Sequence, residues 1–94
     1  MDHDTGDVSL HQKAREAIQR GALPSRQQDR TFGGPGSGAF CSLCHETLRR
    51  HMTELELHFD YFDDDIPRTD SFKFHHTCFA AWAIERDRIE GVTH

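Results

Sequence analysis

Three cysteines and one histidine of this chain fall into two matched pairs. Cys41 and Cys44 frame FCSLCH, and thirty residues after Cys44 the stretch FHHTCFAAW places His75 and Cys78 at the same two-residue gap. The pattern C-x2-C-x30-H-x2-C uses every cysteine in the sequence. Thiolate sulfur and imidazole nitrogen in two tight pairs form the donor set of a tetrahedral zinc site. Two intervening residues let the backbone turn so that both side chains of a pair face one ion. Four donors close the tetrahedron, as around a structural zinc; a catalytic zinc keeps one position for water. His76, one residue nearer Cys78, competes with His75 for the fourth position, and His45 beside Cys44 is a weaker rival.

The elements that must carry these ligands can be read from periodicity. Residues 41–44 predict a tight knuckle. In TELELHFDY, Leu55, Leu57, Phe59 and Tyr61 alternate with Glu54, Glu56, His58 and Asp60, the signature of a half-buried strand. Asp63-Asp64-Asp65-Ile66-Pro67 breaks it, and residues 71–75 read as a second strand with Phe72 and Phe74 inward. A helix opens at His76 or Thr77 and ends at Gly91, with Phe79, Trp82, Ala83 and Ile89 as its expected buried stripe. Knuckle, hairpin and helix, with one ligand pair on the knuckle and the other at the helix start, is the order of a treble-clef zinc finger. A helix N-terminus carries partial positive charge, which is expected to lower the pKa of the Cys78 thiol.

The first forty residues are thinner. Residues 1–8 are acidic and polar and are expected to be disordered. Ser9 is placed to cap a short helix over 9–21, with Leu10, Ala14, Ala17 and Ile18 on one face. Residues 22–39 read as a Gly-rich linker, into which Leu23-Pro24 and Phe32 are the segments expected to tuck. The run Gly33 to Gly38 lacks the Lys-Ser/Thr of a phosphate loop. The expected fold is therefore α+β: a small treble-clef-like zinc domain over 40–92, preceded by an N-terminal helix and a linker.

Composition narrows the function. With 94 residues, 35% of them hydrophobic, the chain holds one domain whose core alone is marginal, so a staple is expected. Zinc in finger peptides contributes about 10–16 kcal/mol to folding, more than such a core supplies, so the domain is expected to be largely unfolded without it. No apolar run is long enough for a signal peptide or membrane span, and the expected setting is cytoplasmic, where thiols stay reduced. The net charge of −5 conceals an asymmetry. Residues 51–94 carry four basic groups against ten acidic, a balance of −6; residues 11–50 carry seven against three, a balance of +4. The acidic half repels phosphate, so nucleic-acid contacts would have to come from Lys13, Arg15, Arg20, Arg26 and Arg30, with Arg49 and Arg50 behind them. The leading expectation is a non-catalytic zinc-binding module whose partner is another protein, a regulatory adaptor. Nucleic-acid binding through the basic segment is the alternative. A treble-clef nuclease is the third reading: His76 on the finger, or His51, His58, Asp60 and Asp63 as a second site, would have to serve it, and residues 78–90 offer no further histidine.

The spacing, followed by Phe79 and an aromatic-rich helix, resembles the zinc finger of poly(ADP-ribose) polymerases and related DNA ligases, over residues 41 to about 82. That resemblance implies a structural zinc on Cys41, Cys44, His75 and Cys78. In that family the finger recognises DNA breaks through basic residues and an exposed apolar edge. Here the hairpin carries Glu54, Glu56, Asp60, Asp63, Asp64 and Asp65, so the metal site is carried over and the DNA substrate is not. The GGPGSGA-x-C lead-in and the H-x2-C-F-A-A-W ending also look like a group of short bacterial proteins, a likeness that spans most of the chain and brings no activity with it.

Overall fold

The computed structural model describes the backbone of residues 3–92 and the side chains of residues 9–89. The order is α1 (His3–Gln19), β1 (Arg30–Pro35), β2 (Thr53–Asp63), β3 (Ile66–His75) and α2 (His76–Val92). The three strands form one antiparallel sheet in the order β1-β2-β3. The fold class is α+β.

β2 forms because its alternating pattern has a core to face. Leu57 and Phe59 are fully buried, and Leu55 and Tyr61 pack at the rim of the same cluster. The turn to β3 is tighter than the sequence suggests. Pairing runs out to Asp63 with Ile66, leaving Asp64 and Asp65 as a two-residue turn, both at positive φ (51° and 68°). That is the primed geometry whose twist matches paired strands, and aspartate tolerates it. β3 therefore starts at Ile66, five residues before its expected beginning.

The linker expected over 22–39 is corrected. Residues 30–35 are an edge strand, paired from Arg30 with His58 to Pro35 with Thr53. Gly33 and Gly34 hide this from any hydrophobic pattern, and Pro35, without an N–H, is tolerated at a strand end on an edge. Gly36 follows at a close approach: a Cβ there would collide with the carbonyl oxygens of Leu48 and Arg49. Leu23 does tuck into the core, while Phe32 stays half exposed against His58, ring centroids 4.9 Å apart.

α1 begins at His3, so Ser9 lies inside the helix and is not its cap. Of the segment expected to be disordered, residues 3–8 are helical and residues 1–2 lie outside the described residues. Ala14, Ala17 and Ile18 are buried as their spacing predicts. α1 packs on α2, whose buried stripe is Cys78, Ala81, Trp82, Glu85 and Arg86. Phe79, Ala83 and Ile89 are only partly buried, so the helix is rotated from its expected orientation. The rotation follows from Glu85 and Arg86 having polar partners distant in sequence, which hydropathy alone cannot show. Glu85 receives His11 Nδ1 at 2.9 Å and Arg15 Nε at 3.1 Å, tying α2 to α1. Arg86 lies over the Trp82 ring at 4.8 Å and donates to Gln28 Oε1 at 3.1 Å. Trp82 anchors the core: it stacks on Phe74 (5.9 Å, 19°), meets Phe59 edge-on (6.0 Å, 90°) and donates Nε1–H to the carbonyl of Pro24 at 3.0 Å.

Candidate metal centre

Four ligands arrive from three places. Cys41 and Cys44 come from the loop after β1, His75 is the last residue of β3, and Cys78 lies in the first turn of α2. The loop is shaped by its own backbone. Phe40 bridges Thr47, Cys41 N–H donates to the Glu46 carbonyl at 2.9 Å, and His45 N–H donates to the Cys41 carbonyl at 3.0 Å. His45 takes φ 66°, the left-handed position that reverses the chain after the second cysteine. The knuckle is clamped to β3 by two bonds between Ser42 and Lys73, one in each direction.

The ligand atoms of Cys41, Cys44, His75 and Cys78 all lie within 4.8 Å of one another, close enough to bind one metal ion. His75 Nδ1 is 3.4 Å from Cys44 Sγ and 3.9 Å from Cys78 Sγ. A tetrahedron with metal–sulfur bonds of about 2.3 Å and a metal–nitrogen bond of about 2.0 Å has edges of about 3.5–3.8 Å. The observed separations bracket that figure. The imidazole is also oriented for the task. Its Nε2 faces the carbonyl of Thr47 at 3.2 Å, and a carbonyl can only accept, so Nε2 carries the proton and Nδ1 offers its lone pair to the cluster.

The thiols show why a cation belongs among them. Cys41 is pushed down to about 4, chiefly by the hydrogen bond it accepts from Cys78, with backbone N–H groups of Cys44, His75 and Leu43 assisting against burial. The Leu43 amide lies 3.4 Å from Cys41 Sγ. Cys78 moves the other way: it donates to Cys41, and burial and the Cys41 charge also hold its proton on. Burial raises Cys44. With the three sulfurs alone, the Cys78 thiol is raised rather than lowered as expected at a helix terminus, because it donates to Cys41 and is buried. Left to themselves the three sulfurs cannot all ionise; a divalent cation at their centre makes that possible, since a coordinating thiol is deprotonated outright.

The remaining candidates separate clearly. His76 is exposed at the first position of α2 and His45 is exposed on the knuckle; neither contributes an atom to the cluster. His58 bonds Glu56 at 2.9 Å, while Asp60 is held by Arg30 and Thr69, so these two do not form a joint site. Of the basic residues, Arg30 makes a two-armed contact with Asp60 at 2.7 and 2.8 Å, Arg26 bonds Asp29 and the Asp60 carbonyl, and Arg15 is committed to Glu85. Lys13 and Arg20 border a separate hollow on the knuckle side of α1. The sequence reading missed the Thr47 carbonyl and the Leu43 amide because backbone groups leave no trace in residue identity. It also missed the clasp of His11 and Arg15 on Glu85; the i,i+4 spacing of His11 and Arg15 was visible, but not their partner seventy residues on. Among the described residues no helix is long and apolar enough to cross a membrane. Comparison with known proteins adds no kinship: no family model, curated protein or solved structure matches this chain.

Proposed function

We propose that the chain is a non-catalytic zinc-binding module, its zinc structural, that serves as a protein-interaction or regulatory adaptor. The observation that carries this reading is the closure of Cys41, Cys44, His75 and Cys78 around one point. Three thiolates and one neutral imidazole are the donors zinc prefers in closed sites; calcium and magnesium take oxygen. All four positions of a tetrahedron are taken by protein, so none is left for a reacting water. The ion ties the loop after β1, the end of β3 and the start of α2, and knuckle, hairpin and helix follow in treble-clef order. Such a clasp suits a chain with a small core.

Nucleic-acid binding is the lesser reading. Arg15, Arg26 and Arg30 already have internal carboxylate partners, while among the described residues Lys13, Arg20, Arg49 and Arg50 form no ion pair. The test of the main reading is elemental analysis of purified protein. It should find one zinc per chain, lost on Cys41→Ser or Cys78→Ser and retained on His76→Ala. Zinc below half stoichiometry under reducing conditions would overturn it.

A further inference from the structure

The two ends of β2 present surfaces of opposite character. At its start, Met52 and Thr53 border an open groove of about 510 Å3 whose other wall is His76 and Thr77. The groove continues past the cluster into a hollow of about 380 Å3 with Leu10 and Arg49 on its sides. Arg50 is next in the chain, and both arginines are exposed. One acid, Glu46, lines the same wall.

At the other end the turn carries Asp63, Asp64 and Asp65, between Phe62, 75% exposed, and Ile66, 67% exposed. These are among the most exposed large apolar side chains of the described residues. The register pairs Phe62 with Pro67 and Asp63 with Ile66, so Phe62 and Pro67 share one face and Ile66 stands on the other. The tight Asp64-Asp65 turn keeps this end narrow, an apolar wedge with an acidic edge. Eleven residues of β2 put the two ends about 33 Å apart at about 3.3 Å per residue. Among the described residues, Arg49, Arg50, Asp64 and Asp65 form no ion pair.

We propose that the hairpin tip of one copy seats in the groove beside the metal cluster of a second copy. Phe62 and Ile66 lie against Leu10 and Met52, and Asp64 and Asp65 face Arg49 and Arg50. Charge complementarity selects a second copy as the occupant: the acids and the arginines that form no ion pair among the described residues belong to one chain and stand at opposite ends of it. Hollows of this size lie in the range of about 300–1,000 Å3 that accepts compact apolar groups. Because the two surfaces differ, the contact is head to tail, and it propagates into short chains or closes into a ring. The seated tip also covers Cys44 and His75, which line the groove.

The test is sedimentation of the intact, metal-loaded chain over a concentration series up to about 1 mM, the limit of weak specific association. The expected mass rises with concentration and falls back as salt is added. Two surface variants, Phe62→Ser/Ile66→Ser and Arg49→Glu/Arg50→Glu, should each stay monomeric alone while keeping native spectra and metal content. Mixed in equal amounts they should form a one-to-one dimer and stop there, since the arginine variant has an intact tip and the tip variant an intact groove. A wild-type chain monomeric throughout the series overturns the proposal. So does association that survives either variant, or a mixture that stays monomeric. Metal content is measured on the same samples, so loss of zinc is distinguished from loss of association.

Discussion

Between the start of β2 and Phe59, Leu57, Phe59, Phe74 and Trp82 are shut away from water and four ligand atoms converge nearby; where β2 turns into β3, Phe62 and Ile66 face solvent beside three aspartates. The boundary is Tyr61, held between the guanidinium groups of Arg26 (4.8 Å) and Arg68 (4.9 Å). Arg26 also lies over Phe59 at 5.3 Å, closing the core from above. Burial that protects one end is absent at the other, although both belong to the same two strands. A domain this small has too little apolar surface to wrap a hairpin along its whole length. Its core and its ligands gather at one end, and the far end is held by backbone pairing and surface ion pairs such as Arg68 with Asp63.

This contrast can be broken from the metal end first. Removing the ion with a chelator under reducing conditions should abolish near-ultraviolet circular dichroism and amide dispersion, a loss on the scale of the about 10–16 kcal/mol seen in finger peptides. Native tertiary signals that persist without metal would show that the core suffices. Next in size is Trp82→Ala, expected to cost about 3–5 kcal/mol in denaturant melts of the metal-loaded chain, because it empties the centre of the aromatic stack.

Glu85→Gln should cost less, about 1–3 kcal/mol, as a charge-assisted bond to His11 and Arg15 is weakened. It carries a pH signature. Burial alone would raise the Glu85 carboxyl, but the hydrogen bonds from His11 and Arg15, with the nearby charges of Arg15 and Arg88, bring it below the usual carboxylate value. A carboxyl lowered by folding contributes stability that is complete above its unfolded value of about 4.3 and disappears as pH falls through the folded value. The variant should therefore lose less stability than wild type between neutral pH and that acid limb. Equal acid slopes in the two proteins would sever the link between α1 and α2 from this residue. The smallest effect belongs to the tip: Phe62→Ala should shift stability by no more than about 0.5 kcal/mol. A larger loss would mean that the hairpin end is packed in solution.

Much of the site was legible because ligand chemistry is local. Each pair sits within four residues, and alternation over 55–61 required a strand between the pairs. β1 was not legible, since Gly33, Gly34 and Pro35 carry no pattern and pair only because β2 offers a free edge. The orientation of α2 was not legible either. Hydropathy ranks Glu85 and Arg86 as exposed, and only the approach of α1 and of Gln28 supplies the partners that let them be buried.

By itself the sequence determined the three cysteine donors, the rival histidines His75 and His76 for the fourth position and the α+β class, because residue types and their spacing are properties of the chain alone. Tertiary structure decided that His75 joins the cluster while His76 points elsewhere, since that depends on where β3 ends against the Thr47 carbonyl. It decided that the linker is a strand and that Gly36 must be glycine, since both depend on a neighbour distant in sequence. It also decided that Arg15, Arg26 and Arg30 of the basic segment are paired with carboxylates, because a charge is free or paired only once the chain has folded around it.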